Sequence, residues 1–302
     1  MLTLAELLAQ NRPVVHDGAT GTFLQQLGLP LNTAPETWVL ENGALIFSAA
    51  EAYVNAGAQI ILTCTFGGTE FRLRRARLDK HAETINRTAA QLAKEAARGR
   101  AFVAGSLGPL GTVALKLGEI GYAEAVDQFA AQAHALAAGG ADLFQIESMS
   151  DMQEMQAAIE GVRQVSPLPI FATLSFDSQG KTLLGIKPTF AAKELAQLGC
   201  NAIGANCGHG VWDVAGIIRE MRAAVANAVL IAKPNAGIPE TRAGKLVYPV
   251  EPAKFAQFAR EWVRAGAKII GGCCGTTPEY IAAVRQEFES KPARDHRQML
   301  IS

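Results

Sequence analysis

The feature that most constrains this chain is an eightfold alternation of short apolar runs with longer stretches of helical period. The strand candidates are residues 14–17, 59–63, 101–105, 142–146, 169–174, 202–205, 229–233 and 268–271. Each precedes a helix candidate: 45–56, 82–97, 122–138, 151–165, 188–198, 211–226, 252–265 and 278–290. Four helix candidates run into a glycine just before the next strand, at Gly57, Gly139-Gly140, Gly199 and Gly266. A residue without Cβ takes the left-handed conformation that closes a helix at low steric cost. Thr277-Pro278-Glu279 carries the opposite signature, a hydroxyl cap, a proline in the first turn and an acid at the positive end of the dipole.

Strict alternation implies parallel pairing, with strands buried on both faces and therefore apolar throughout. Eight units without a linker or a break in composition predict a closed (β/α)8 TIM barrel. The expected domain is single and spans residues 1–302, with a core of about 13–288 and a tail over 291–302. A doubly wound open sheet is the lesser reading. Gly18, Gly21 and Gly28 follow the first strand, but a loop of about fifteen residues separates them from the next helix, where a dinucleotide fold needs the helix at once.

Composition removes whole classes of function. The 28 basic side chains balance 28 acidic ones and only 19% of residues are charged, so no basic surface for nucleic acid is expected. No apolar run approaches the roughly 20 residues that a membrane-spanning helix needs. The opening MLTLAELLAQNRP lacks a basic leader and reads as an amphipathic helix, so no secretory signal is expected. Five cysteines, two of them adjacent, are too few for a disulfide scaffold and point to a reducing cytoplasm, with free thiols or metal ligands.

A barrel gathers its chemistry where strands end and the following loops begin. Those positions hold Asp17 and Gly18, Cys64 and Phe66, Ser106, Glu147, Ser175, Asn206 and Cys207, Asn235, and the pair Cys273-Cys274. Cys207 is far from the pair along the chain, yet strands six and eight are near neighbours in a barrel. The flanking Gly208, Gly271, Gly272 and Gly275 let two consecutive side chains face one point. Three thiolates at about 2.3 Å from Zn²⁺ leave one tetrahedral position free, as in a catalytic site. His209 is the one nearby candidate for a fourth protein ligand. Such a site carries a net negative charge, so it suits activation of an incoming thiol better than activation of water.

The remaining candidates divide. Glu147 at the end of an apolar strand is expected to be functional or paired, and Asp17 is either a turn cap or a substrate contact. Lys233 is either an imine-forming amine or a salt-bridge partner. Cys64 and Cys200 read as core residues, and His16 as a packed side chain. His81, His134 and His296 are expected on helix surfaces or in the tail.

The motifs DGATGT (17–22), CTFGG (64–68), GSLGP (105–109), GANCG (204–208), KPNAG (233–237) and GGCCGT (271–276) together resemble the homocysteine S-methyltransferases. That family includes the homocysteine-binding module of cobalamin-dependent methionine synthase and betaine–homocysteine methyltransferase. The resemblance covers about residues 13–288 and implies transfer of a methyl group to the thiol of homocysteine, giving methionine. It implies Cys207, Cys273 and Cys274 as zinc ligands and Glu147 as the acid that holds the substrate amino group. Asp17 and Gly18 match the segment that contacts the amino-acid part. Asn235 matches a residue whose side-chain oxygen takes the fourth zinc position before substrate arrives, and Phe66 an apolar wall. No folate, cobalamin or activation module is expected within these residues. The implied methyl donor is a methylcorrinoid protein, betaine or S-methylmethionine. No aromatic cage for a quaternary ammonium is evident, although Trp38 is a candidate for one wall, which favours the methionine-synthase-like branch. The alternatives are another thiol acceptor, an imine-forming lyase built on Lys233, and a non-catalytic partner of a corrinoid protein.

Overall fold

A computed structural model of the protein describes residues 2–289 except 112, 209, 243 and 244. Its strands are β1 (Val14–Val15), β2 (Ile60–Leu62), β3 (Phe102–Leu107), β4 (Leu143–Met149), β5 (Ile170–Leu174), β6 (Ala202–Cys207) and β7 (Leu230–Pro234). They continue with β8 (Glu240–Arg242), β9 (Lys245–Val247) and β10 (Ala267–Ile270). Eight of them form one parallel sheet in the order β1-β10-β7-β6-β5-β4-β3-β2. The two edges meet. His16 bridges Ile60 in parallel register, the Asp17 N–H donates to the Ile60 carbonyl at 3.0 Å, and the Gln59 N–H donates to the Val15 carbonyl at 2.7 Å. The sheet is therefore a closed (β/α)8 barrel, and the open-sheet reading falls away.

The strands form where burial on both faces rewards apolar residues. All five residues of β5 are buried, as are all five of β7. Helices Ala82–Ala97, Tyr122–Ala138 and Pro252–Ala265 span the segments that the periodicity predicts. Gly57, Gly140, Gly199 and Gly266 all have positive φ, between 73° and 112°, as expected of glycines that end helices. None of the described helices is long and apolar enough to cross a membrane.

The N-terminal helix Leu4–Ala9 decides which end of the barrel is open. Thr3 and Glu6 form a reciprocal capping box at its start. Its Leu7 is buried against Val14, Ile60, Leu143, Phe171, Ile231 and Ile269, plugging the end where the strands begin. The Lys268 ammonium ties the following segment down by donating to the Gln10 and Arg12 carbonyls.

Four segments differ from the sequence reading. The loop after β1 folds into helices Thr20–Gln26 and Thr37–Glu41, and another short helix, Glu70–Leu73, follows β2. Isolated helices of this length are not stable. Leu24, Val39 and Leu73 instead enter one apolar cluster with Ile46 and Ile85, so tertiary burial makes them helical. After β7 the chain forms the antiparallel hairpin β8–β9. The helix expected from residue 211 begins at Val214.

Candidate metal and substrate site

Cys207 ends β6, and the turn after β10 brings Cys273 and Cys274 to the same point; the three Sγ atoms lie within 4.8 Å of one another. Glycine makes that turn possible. A Cβ on Gly272 would stand 2.2 Å from the Thr276 hydroxyl, and one on Gly275, where φ is +84°, would stand 2.2 Å from the Tyr248 ring. Cys207 itself adopts φ +58°, a left-handed conformation that a side-chain-bearing residue holds only under constraint. Hydrogen bonds from Cys273 and Cys274 hold the Cys207 thiol far below its ordinary pKa. The same bonds push Cys273 well up and Cys274 up to about 12. A divalent cation held among the three sulfurs would displace thiol protons.

Asn235 lies beside it. Its Nδ2 donates to the Gly208 carbonyl at 2.8 Å, while its Oδ1 is buried with no partner among the described residues. A buried amide oxygen without a donor is rare and calls for a ligand. Three soft sulfur donors with one orphaned oxygen close by fit zinc.

The cluster forms part of the wall of a cavity of about 730 Å³ at the open end of the barrel. Gly18, Thr20, Phe66, Glu147, Ser148 and all three cysteines line it, together with Glu36, Cys64, Arg72 and Ser106. Glu147 is 5% exposed, and its Oε1 accepts the Ser106 hydroxyl at 2.6 Å. Burial raises its pKa, against the opposing pull of Lys233 and Ser106. Phe66 presents its ring to the cavity, with the Arg72 guanidinium 4.9 Å above the centroid. The backbone at Gly108 accommodates it, since a Cβ there would lie 2.5 Å from the Phe66 carbonyl.

Asp17 is placed differently from its neighbour Gly18. Its carboxylate is buried beneath the cavity floor, where Oδ2 accepts the Leu62 N–H at 2.6 Å and Oδ1 lies 3.1 Å from the Lys233 ammonium. Burial alone would raise the Asp17 pKa, but Lys233 and His16 outweigh it and hold it low. His16 Nδ1 lies 2.9 Å from both the Asp17 N–H and the Lys233 ammonium and 2.8 Å from Asp17 Oδ1, so the three side chains form one buried cluster. Burial, followed by the charge of Lys233, drops the His16 pKa to about 4 and keeps the ring neutral. Lys233 is 1% exposed, does not line the cavity, and pairs with the Asp17 carboxylate.

The other sequence candidates, Cys64 excepted, lie apart from this constellation or outside the described residues. Trp38 packs into the apolar cluster around Leu24 and Val39, away from the cavity. Cys64 is buried, as expected, yet also touches the cavity. Cys200 lies just before β6, at the opposite end of the barrel, its pKa pushed up to about 12 by burial. His81 and His134 are exposed, and His209 and His296 lie outside the described residues. Sequence reasoning gave no role to Glu36, Arg72 or Ser148, whose only signal was position in loops after strands. Glu36 is 4% exposed and accepts the Gly67 N–H at 2.5 Å.

The fold and site define a closed parallel barrel whose mouth converges three cysteines close enough together to hold a metal ion. Comparison with known proteins carries this further. The family described as homocysteine S-methyltransferase matches residues 14–288, and the chain belongs to that family. Methionine synthases from Mycobacterium leprae and Mycobacterium tuberculosis are each 30% identical over 93% of this chain. The chain spans about a quarter of their length, 24% and 25% respectively. Among solved structures, the oxidized form of the homocysteine methyltransferase MmuM from Escherichia coli is 26% identical. It superposes with a TM-score of 0.77 over 93% of this chain and 98% of that one. The metallated form of the same protein, at 24% identity and a TM-score of 0.76, matches in fold.

Proposed function

We propose that this protein transfers a methyl group from a donor to the thiol of L-homocysteine, giving methionine, with zinc held by Cys207, Cys273 and Cys274. The observation that carries this reading is the convergence of the three Sγ atoms within 4.8 Å at the wall of a cavity that also exposes Glu147. When bound, zinc supplies positive charge and a free fourth position that keep an incoming thiol ionised at neutral pH. Asn235 Oδ1, buried beside the cysteines, would offer the metal an oxygen donor.

The chain's own residues bind and orient. Glu147, fixed by Ser106, receives the homocysteine ammonium. Gly18 and the start of helix Thr20–Gln26 present backbone to the amino-acid part, because the missing Cβ at Gly18 permits contact with Thr276. Asp17 supports that segment from below through Leu62 and Lys233. Phe66 and Arg72 border the space that remains for the donor, whether methylcorrinoid protein, betaine or S-methylmethionine. Sulfur attacks the methyl carbon in line and the donor leaves with the bonding electrons; no protein nucleophile takes part. Holding the two reactants in line supplies much of the rate.

The test is zinc content together with homocysteine methylation against that panel of donors. Stoichiometric zinc, and loss of both zinc and activity in Cys207→Ser, are expected. Activity retained in Cys207→Ser would refute the reading. Borohydride trapping of substrate on Lys233 would favour the imine-forming lyase.

A further inference from the structure

We propose that Asn206 is a positioning residue that locks the amino-acid end of the site to its sulfur end; the proposal rests on the functional reading above. Asn206 is 2% exposed and immediately precedes Cys207 on β6. Its Oδ1 accepts the Ser148 N–H at 2.8 Å, and its Nδ2 donates to the Ser148 hydroxyl at 2.6 Å. The same Nδ2 lies 3.8 Å from Cys273 Sγ, within reach of an N–H···S hydrogen bond. The orientation of the amide follows from chemistry. A backbone N–H can only donate, so the atom facing Ser148 N is the oxygen, and the NH₂ group is left for the hydroxyl and the sulfur.

One amide therefore joins three places that chain connectivity leaves apart. Ser148, next to Glu147, has φ +61°, and Cys207 has φ +58°. Side-chain-bearing residues hold such angles only where their surroundings enforce them. The β4–β5 register also shifts between Ile146 and Met149, so the stretch carrying Glu147 and Ser148 leaves the regular ladder. Its half-buried Ser148 N–H, off the ladder, finds its partner in the Asn206 side chain. Releasing Asn206 frees the segment that holds the homocysteine ammonium and, at the same time, Cys273. An N–H donor also draws charge from the sulfur it faces, whereas a carboxylate in its place would repel a thiolate.

Asn206→Asp concentrates on the second effect, because it keeps the oxygen that accepts from Ser148 N–H, lets the Ser148 hydroxyl turn and donate to the carboxylate, and removes the N–H donor that faces Cys273. Its zinc affinity, measured against a chromophoric chelator, is expected to fall about 10–100-fold, the range typical for partners of metal ligands. With cobalt(II) as the probe metal, its sulfur-to-metal charge-transfer band is expected to shift. Asn206→Ala removes both effects. It should lose zinc affinity similarly, speed exchange of the Ser148 amide in the metal-free protein, and abolish the rise in melting temperature that homocysteine gives the zinc-loaded wild type. A side chain that only packs would lower the melting temperature without moving the cobalt band. Wild-type zinc affinity and an unshifted band in Asn206→Asp would overturn the proposal. Should the variants not fold, the wild type decides: zinc loading must slow exchange of the Ser148 amide, although Ser148 is no ligand, and unchanged exchange overturns the link. Absence of zinc binding by the wild type would overturn the functional reading itself, a separate failure.

Discussion

Glu147→Gln is expected to weaken homocysteine binding and yet stabilise the fold. The Glu147 carboxylate is 5% exposed and takes one hydrogen bond, from Ser106. Lys233, the nearby countercharge, is already engaged by Asp17 at 3.1 Å. An ammonium arriving beside Glu147 would form a charge-assisted pair shielded from water. Truncating one partner of such a pair costs about 2–4 kcal/mol, or a ~30- to ~900-fold weaker Kd at 1.36 kcal/mol per decade. Glutamine keeps the acceptor for the Ser106 hydroxyl, so the loss reports charge rather than shape. Stability moves the other way. Burial holds the folded carboxyl above its ordinary pKa of 4.5, so stability is lost as pH rises past 4.5 and through the raised value. Glutamine carries no such penalty. The variant should melt above the wild type at pH 8, and the gap should close at lower pH. Titration calorimetry of homocysteine into zinc-loaded protein and scanning calorimetry across pH read the two effects. An unchanged Kd would refute the assignment of the ammonium site, and a lower melting temperature at pH 8 would refute the account of the buried charge.

Two further outcomes follow from charges outside the metal cluster. Lys233→Met leaves Asp17 buried without its cation and should cost about 3–5 kcal/mol in denaturant unfolding, with much of the loss recovered in the double variant Asp17→Asn/Lys233→Met; a mild single-variant loss would show that Leu62 and His16 suffice. Glu154, 1% exposed and accepting the Leu110 N–H at 2.6 Å, has its pKa raised to about 7 by burial. Its ionisation therefore erodes stability between pH 4.5 and about 7, by about 2–3 kcal/mol. Glu154→Gln should be more stable than the wild type at pH 8 and indistinguishable from it near pH 4, as judged from melting curves across that range.

How far the sequence could be read follows from what each part depends on. Long helices such as Ala82–Ala97 and Tyr122–Ala138 carry enough turns for their period to show, and glycines such as Gly266 mark their ends because backbone conformation is a local property. Helix Thr37–Glu41 has no such signal, since it exists because Val39 is buried against residues distant in the chain. The hairpin β8–β9 was equally invisible, being three residues a side within a loop.

At the site, residue type and place in a strand–helix unit sufficed to mark Cys207, Cys273, Cys274 and Glu147 as facing the barrel mouth, because closing eight such units leaves one end for all eight loops. Alternation of apolar and helical segments thus determined the barrel, and the barrel determined where to look. Partners were another matter. That Asp17 turns down to Lys233 while Gly18 meets the cavity, that Asn206 spans Ser148 and Cys273, and that the Asn235 oxygen finds no partner among the described residues were decided only by tertiary structure. Direction along a strand is written in the chain's own pattern. Which side chain receives a hydrogen bond or a countercharge depends on neighbours tens to hundreds of residues away, and their approach exists only once the strands have closed.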